Sequence, residues 1–205
     1  GQLRARGAHY TIIPDRIEVG TFICALAITG GSLSLLGVIL EHVETLLVAL
    51  ERSGCKYRYD VAKKILHLER SPSDRLQPIH ISTAPYPDFP TDLQAQCMAV
   101  LTQAEGTSTI IENIFENRFQ HVMELQRLGA SIDIDGRTAR VHGSSRLSGT
   151  TVMASDLRAS AGLVIAGLVA EGSTTIERIY HLDRGYAHLD HKLRSVGVDI
   201  QRIRT

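Results

Sequence analysis

The sequence predicts an α/β domain turned inside out, with three apolar helices packed at the centre and β-sheets outside them. Two observations support this prediction. One structural unit is repeated three times along the chain, and in each copy one helix is small or apolar on every side. A helix that is apolar all round is buried on all sides, and alternating helical and β-prone segments indicate an α/β fold.

The spacing of glycines defines the repeat. Each copy has a first glycine after its apolar helix and a second after an amphipathic helix, and the interval is 23, 23 and 25 residues for the pairs Gly31 and Gly54, Gly106 and Gly129, and Gly172 and Gly197. The second glycine lies where a helix commonly ends in a left-handed residue, which glycine adopts without steric cost. The three outer helices are therefore expected to end at these positions.

The elements follow in the same order in each copy. We expect the inner helices over 16–28, 92–104 and 156–170, strands over 32–36, 108–112 and 174–177, and outer helices over 41–53, 121–128 and 187–196. A further β-prone stretch follows the outer helix, as in 130–134, where apolar and polar residues alternate. The third inner helix is the clearest, because 159–170 holds only small or apolar residues.

Composition excludes several classes of partner. The chain has 205 residues with 22 basic and 22 acidic side chains, whereas duplex nucleic-acid binding normally shows as a basic excess, so no nucleic-acid partner is expected. The longest apolar stretch, 157–170, contains Arg158 and is too short to span a bilayer, so no membrane partner is expected either. Residues 1–10 are polar and lack the apolar core of a signal peptide.

The spacing of cysteines and histidines and the absence of known binding motifs predict no metal, disulfide or cofactor. Cys24, Cys55 and Cys97 form no CxxC pair, and the nine histidines show no metal spacing, so neither a metal site nor a disulfide framework is expected. The chain contains no Walker A, GxGxxG or Gly-x-Ser-x-Gly motif, so no cofactor is expected. Reduced cysteines indicate a cytoplasmic protein.

Two acidic residues stand at the starts of inner helices. Thr91 and Gln94 form a predicted capping box with Asp92 at the first helical position, and Asp156 follows Ser155, a good N-cap. The simple interpretation is favourable charge placement against the helix dipole, worth about 0.3–1 kcal/mol. The proline-rich stretch 83–92 is expected to be extended and stiff, which suits either a linker or a rigid support for a catalytic base at Asp92.

Three arginines are candidates for an anion site. Arg118 and Arg184 occupy matching positions in two copies of the unit, and Arg158 lies in the first turn of an inner helix. A loop arginine is usually a solvated surface charge, but matching positions in a repeat allow these side chains to converge on one anion. Guanidinium groups suit carboxylate and phosphate oxygens because they donate two parallel hydrogen bonds.

Four motifs, in order, resemble those of the UDP-N-acetylglucosamine 1-carboxyvinyltransferase family: Thr-Ala-Pro-x-Pro-x-Phe-Pro-Thr-Asp-x-Gln-Ala-Gln at 83–96, Phe-Glu-Asn-Arg-Phe at 115–119, Ser-Asp-Leu-Arg-Ala-Ser at 155–160 and Ile-Tyr-His-x-Asp-Arg-Gly-Tyr at 179–186. Ile-Pro-Asp-Arg-Ile-Glu at 13–18 resembles the family as well. The resemblance implies an enzyme of two similar domains, each made of three units with helices inside. Residues 1–15 would be the tail of the first domain and the crossover, and 16–205 the second domain.

The resemblance also implies an activity. Members of the family transfer the enolpyruvyl group of phosphoenolpyruvate to the 3′-hydroxyl of UDP-N-acetylglucosamine and release phosphate, the first committed step of peptidoglycan synthesis. By motif, Asp92 would be the base near the sugar hydroxyl and a nucleotide-sugar contact, and the backbone at Ile114 would contact the nucleotide.

The remaining assignments by motif concern the other substrate. Arg118, Arg158 and Arg184 would engage the phosphoenolpyruvate side of the cleft or its closing, and Asp156 would be a second acidic residue near the reacting centre. The family's loop cysteine and an essential Lys-Asn pair belong to the first domain and have no match here. The chain alone is therefore expected to bind substrate weakly and to turn over nothing.

Three other interpretations stay open. The related enolpyruvylshikimate-phosphate synthases share the fold and the phosphoenolpyruvate chemistry, although their own motifs are not found. A non-catalytic binding module retaining the fold is a second possibility, and the retention of Asp92 with three arginines argues against it. A relative of the RNA-terminal-phosphate cyclases is disfavoured by the balanced charge.

Overall fold

The first of three successive units contains two helices and a small sheet. The computed structural model describes residues 7–203. The first unit comprises α1 (Arg16–Thr29), β1 (Gly31–Leu36), a 3-10 turn (Leu40–His42), α2 (Glu44–Arg52), β2 (Lys56–Asp60) and β3 (Ile65–Arg70). Its strands lie in the order β1-β3-β2, and both pairs are antiparallel.

The second unit has one more strand at the edge of its sheet. It comprises β4 (His80–Ser82), a 3-10 turn (Thr91–Leu93), α3 (Gln94–Leu101), β5 (Thr107–Ile111), α4 (Val122–Arg127), β6 (Ser131–Asp135) and β7 (Thr138–His142). The strand order is β4-β5-β7-β6, with β4 and β5 parallel and the other pairs antiparallel. The parallel pair is joined through α3, since parallel strands need a crossover connection.

The third unit repeats the parallel crossover. It comprises β8 (Thr151–Met153), α5 (Leu157–Gly167), β9 (Thr175–Glu177), α6 (Tyr180–Asp183) and α7 (Leu189–Ser195). β8 and β9 are parallel and are joined through α5. The threefold repetition of inner helix, strand and outer helix confirms these parts of the unit expected from the glycine spacing, whereas the β-prone stretch expected after the third outer helix forms no strand over 198–203.

The three inner helices α1, α3 and α5 contact one another at the centre of the domain. Every residue of α3 is buried, and so is 159–166 of α5. Close approach requires glycine at one crossing: a Cβ added at Gly162 would lie 2.9 Å from the carbonyl oxygen of Ala95. The inside-out α/β architecture is therefore confirmed, and the physical reason is the absence of a polar face on these helices.

The outer helices end at glycines as expected. Gly54, Gly129 and Gly197 have φ angles of 109°, 102° and 97°, which is the region that side chains other than glycine rarely adopt. The predicted ends of two inner helices are too late, since α3 ends at Leu101 and α5 at Gly167, whereas α1 runs one residue past its predicted end, to Thr29. The helix α6 was not expected, because four residues are too few to show a helical period.

The prediction that 83–92 is extended is wrong. The segment folds into a turn in which the amide of Ala84 donates to the carbonyl of Phe89 at 3.0 Å and that of Asp88 to the carbonyl of Pro85 at 3.0 Å. Proline fixes φ at a value that suits a turn as well as an extended chain, so its presence alone does not choose between them.

Both predicted caps are also wrong. Thr91 begins the 3-10 turn, and its hydroxyl donates to the carboxylate of Glu112 at 2.9 Å, so α3 has no side-chain cap. Asp156, not Ser155, caps α5, because its Oδ1 accepts from the amides of Arg158 and Ala159 at 2.8 and 2.9 Å. The acceptor of the Thr91 hydroxyl is distant in the sequence, and α5 begins one residue later than predicted. Residue spacing reveals neither of these effects.

Residues 7–15 contain no helix or strand, and residues 1–6 lie outside the described part of the chain. The proposed boundary at residue 15 therefore stays a prediction. Among the described helices, none has the length and apolar character needed to cross a bilayer. Cys24, Cys55 and Cys97 are buried free thiols.

Candidate functional site

Three motifs that are far apart in the sequence meet at one carboxylate. Arg118 Nη2 donates to Asp92 Oδ1 at 3.0 Å, and Arg158 Nη2 donates to Asp92 Oδ2 at 3.3 Å. Each oxygen of Asp92 thus has its own guanidinium partner. We refer to Asp92, Arg118 and Arg158 as the Asp92 cluster.

Local structure places both arginine side chains next to the Asp92 carboxylate. Asn117 adopts a left-handed backbone, φ 54°, which asparagine tolerates better than most residues, and turns the chain immediately before Arg118. The guanidinium of Arg118 then lies 5.2 Å from the centre of the Phe115 ring. Arg158 lies in the first turn of α5, and its guanidinium is 6.0 Å from the centre of the buried Tyr186 ring.

The Asp92 cluster is partly exposed and carries a net positive charge. The side chains of Asp92, Arg118 and Arg158 are 38%, 25% and 17% exposed. Ion pairs in such surroundings contribute little to stability because water screens them. Arg158 Nη1 is buried and has no hydrogen-bond partner among residues 7–203.

His121 is a buried neighbour of the cluster that the sequence interpretation missed. Burial lowers its pKa to about 4, and the positive charge of Arg118 adds to this effect while the negative charge of Asp156 opposes it. The imidazole is therefore neutral at physiological pH, and its Nε2 has no partner within residues 7–203. The signal in the sequence is its place three residues after Arg118, whereas histidine spacing alone tests only for a metal site.

The buried carboxylate of Glu112 accepts backbone hydrogen bonds from the loop that follows β5. The amide of Ile114 donates to Glu112 Oε1 at 2.9 Å, so a backbone contact between Ile114 and a ligand would have to use the carbonyl. Glu112 is only 1% exposed and was not among the residues singled out from the sequence. Its position at the end of an apolar β-prone stretch was the available signal.

Asp156 and Arg184 lie outside the hydrogen-bonded cluster. The described contacts of the Asp156 side chain are with the first turn of its own helix. Arg184 is exposed at the end of α6, and within residues 7–203 its side chain makes no hydrogen bond or ion pair. The neighbouring Gly185 packs against Leu157, so this segment lies beside the start of α5 without placing the Arg184 guanidinium on Asp92.

The partial exposure of its side chains leaves the Asp92 cluster accessible to solvent. A groove of about 610 Å³ runs between α2 and β4, and none of the three side chains of the Asp92 cluster lines it. No cluster of three potential metal ligands is found among residues 7–203. The two guanidinium groups around the Asp92 carboxylate supply donors that suit an anion.

Comparisons with known proteins identify the family of the chain. The family model described as EPSP synthase (3-phosphoshikimate 1-carboxyvinyltransferase) matches residues 1–193. Two curated relatives, from Azorhizobium caulinodans and Koribacter versatilis, are 52% and 53% identical over 203 residues, and both are named UDP-N-acetylglucosamine 1-carboxyvinyltransferase. The matches cover 99% of this chain but 47% and 46% of the relatives, so the chain spans about half the length of the curated relatives it matches.

Solved structures show the same fold. The enolpyruvyl transferase NikO from Streptomyces tendae matches with a TM-score of 0.81 and 32% identity, over 94% of this chain and 45% of that protein. An EPSP synthase from Acinetobacter baumannii matches with a TM-score of 0.71 and 18% identity, over 95% of this chain and 45% of that protein, and this likeness concerns the fold alone. The resemblance stated from the motifs is confirmed, and the chain belongs to the EPSP synthase family of carboxyvinyltransferases.

Proposed function

We propose that this chain forms one half of an enzyme that transfers the enolpyruvyl group of phosphoenolpyruvate to the 3′-hydroxyl of UDP-N-acetylglucosamine, the first committed step of peptidoglycan synthesis. The observation that carries the proposal is the contact of Asp92 with Arg118 and Arg158, which lie 26 and 66 residues away in two other motifs. The names of the relatives at 52% and 53% identity support the nucleotide sugar as acceptor.

Both substrates are anionic, and the Asp92 cluster supplies the matching charge. Phosphoenolpyruvate brings a phosphate and a carboxylate, which guanidinium groups bind through paired hydrogen bonds. Arg158 has a donor without a partner in the described chain, and Arg118 is exposed enough to exchange Asp92 for a substrate oxygen. Arg184, at the exposed end of α6, is proposed to join the phosphoenolpyruvate side when the site closes.

In the proposed reaction Asp92 acts as the base. It takes the proton of the sugar 3′-hydroxyl as that oxygen bonds to C2 of phosphoenolpyruvate, while a proton is added to C3. In the second step a proton leaves C3, the bond from C2 to the phosphate oxygen breaks, and inorganic phosphate departs. A base has to lie within hydrogen-bond reach of the hydroxyl, and Ile114 would help by binding the nucleotide through its carbonyl.

We further propose that a second domain completes the site. The chain covers about half of its relatives, and the Asp92 cluster is partly exposed. In this proposal residues 1–15 belong to the crossover and 16–205 to one domain, and the other domain brings the loop cysteine and the Lys-Asn pair. Asp156 would act near the reacting centre from the start of α5. The three free thiols support a cytoplasmic location.

A phosphate-release assay tests the proposal. The full-length protein, supplied with UDP-N-acetylglucosamine and phosphoenolpyruvate, is expected to release phosphate, whereas the 205-residue chain alone is expected to release none. Appreciable turnover by the chain alone would contradict the need for a second domain. Absence of phosphate release by the full-length protein would contradict the proposed reaction.

The description of the matching family model favours one second candidate, the transfer of the same group to shikimate 3-phosphate. Titration calorimetry of the full-length protein separates the two acceptors. We expect binding heat with UDP-N-acetylglucosamine and none with shikimate 3-phosphate. The reverse result would assign the second activity, and no heat with either acceptor would favour a non-catalytic module.

A further inference from the structure

Glu112 is a buried carboxylate that the proposed reaction does not use. Its Oε1 accepts hydrogen bonds from the hydroxyl of Thr83 at 3.0 Å and from the amides of Ile114 and Phe115 at 2.9 and 3.1 Å. Its Oε2 accepts from the hydroxyl of Thr91 at 2.9 Å. Within residues 7–203 no lysine, arginine or histidine forms an ion pair with it, and an unpaired buried charge is costly unless hydrogen bonds compensate.

The partners of Glu112 belong to the segments that carry the proposed site. Thr91 is the residue before Asp92, and Ile114 is the proposed nucleotide contact. Phe115 lies under the guanidinium of Arg118. One carboxylate thus joins the turn that holds the proposed base to the loop that faces the nucleotide.

A local role in the loop does not account for all of these contacts. The two backbone bonds from Ile114 and Phe115 are enough to close the turn after β5. The bond from Thr91 comes from a residue 21 positions away and adds nothing to that turn. Its effect is to fix the distance between the Asp92 turn and the Ile114 loop.

We propose that Glu112 is a positioning residue for the nucleotide-sugar acceptor. It acts through Thr91 and through the amide of Ile114, so that the Asp92 carboxylate and the Ile114 carbonyl engage the same acceptor molecule. A displacement of about 1 Å between such groups is enough to weaken binding and catalysis strongly. This inference rests on the proposed function.

Substitutions of Thr91 in the full-length protein test the link. Thr91→Val keeps the shape of the side chain and removes the hydrogen bond to Oε2. Hydrogen bonds to charged groups are worth enough that the Kd for UDP-N-acetylglucosamine is expected to rise about tenfold. The KM for phosphoenolpyruvate is expected to rise less than this Kd, because the substitution keeps the side chains of Arg118 and Arg158. Thr91→Ser restores the hydroxyl and is expected to restore the Kd.

Two further variants separate positioning from folding. Thr102→Val removes another buried hydroxyl, which donates to the carbonyl of Ala99 at 2.7 Å, and it is expected to lower the melting temperature without changing the Kd. In Glu112→Gln, Oε1 can still accept its three bonds while Nε2 donates to the Thr91 hydroxyl, so a smaller rise in Kd than in Thr91→Val is expected.

The outcomes distinguish this inference from the proposed function. If the wild-type protein turns over and Thr91→Val leaves the Kd within about twofold, the positioning role is wrong while the proposed function stands. An equal effect of Thr91→Val and Thr102→Val on the Kd, or no rescue by Thr91→Ser, also contradicts it. If the wild-type protein does not bind UDP-N-acetylglucosamine, both the positioning role and the proposed function are wrong.

Discussion

At the scale of single residues, the site combines charges whose arrangement suits binding more than folding. Asp92 has one guanidinium on each oxygen, and all three side chains of the Asp92 cluster keep some exposure. Such pairs add little stability, and Arg158 Nη1 is a buried donor without a hydrogen-bond partner within residues 7–203. His121 lies buried beside them and stays neutral.

Replacing the carboxylate of Asp92 is the first prediction at this scale. Asp92→Asn keeps the shape of the side chain but removes the proposed base, and general-base catalysis contributes typically 10²–10⁴-fold. We therefore expect kcat of the full-length protein to fall by about 10² or more, measured by phosphate release. Asp88→Asn, on the exposed turn before the site, is the matched control and is expected to keep wild-type kcat. Near-normal kcat in Asp92→Asn would exclude the role as base.

The second prediction concerns pH and His121. The folded pKa is about 4, below the ordinary value of 6.5, so between these values the unfolded chain binds a proton that the folded chain does not. The contribution of neutral His121 to the free energy of unfolding is thus fully present above pH 6.5 and is lost as pH falls towards 4. The total loss is about 3 kcal/mol.

Urea unfolding at several pH values measures this loss. His121→Gln cannot take up the proton, and its free energy of unfolding is expected to fall less steeply between pH 6.5 and 4 than that of the wild type. His80→Gln, at an exposed position of β4, serves as the control for removing an imidazole. Parallel pH profiles for wild type and His121→Gln would show that His121 is not held neutral.

At the scale of secondary-structure elements, the inner helices determine where the site residues lie. α3 and α5 cross closely at Gly162 and Ala95. Asp92 lies in the 3-10 turn that leads into α3, and Arg158 lies in the first turn of α5. Asp156 fixes the first turn of α5 by accepting two amides. The distance between Asp92 and Arg158 therefore depends on how closely the two helices pack.

Enlarging Gly162 is the prediction at this scale. A Cβ at Gly162 would lie 2.9 Å from the carbonyl oxygen of Ala95, a backbone atom that cannot move aside. We expect Gly162→Ala to lower the free energy of unfolding by about 1–3 kcal/mol despite the better helix propensity of alanine. Gly167→Ala in the same helix meets Thr174 at an ordinary 3.5 Å and is expected to lose no stability. Urea unfolding measures both, and equal effects would contradict the close crossing.

At the scale of the whole molecule, three units share one interior, and the cysteines are part of it. The thiols of Cys24 on α1 and Cys97 on α3 lie 3.8 Å apart between two inner helices. The hydrogen bond with Cys97, together with burial, raises the pKa of Cys24, and burial raises the pKa of Cys55 to about 11.

Thiol labelling gives the prediction at this scale. Because all three thiols are buried, Cys24, Cys55 and Cys97 are expected to resist iodoacetamide at pH 8 in the native protein. In urea all three are expected to react, as counted by mass spectrometry. Rapid labelling of Cys24 or Cys97 without denaturant would indicate that the inner helices open readily.

The sequence by itself determined the repeated unit, the buried helices and the family. These properties depend on local patterns: glycine at helix ends, apolar residues on every side of α5, and motif strings that retain their order. It also identified Asp92, Arg118 and Arg158 as candidates, because charged residues at helix starts and in motifs are visible in one dimension. What it left as a hypothesis was whether these residues meet.

Only the tertiary structure decided which groups are neighbours. It joined Arg118 and Arg158 to Asp92, left Arg184 exposed, and showed that Thr91 serves Glu112 rather than a helix cap. Glu112 and His121 became visible only when burial was known, since a lone charged or titratable residue has no pattern of its own. Hydrogen bonds between distant segments depend on how the inner helices pack, and no local spacing encodes that packing.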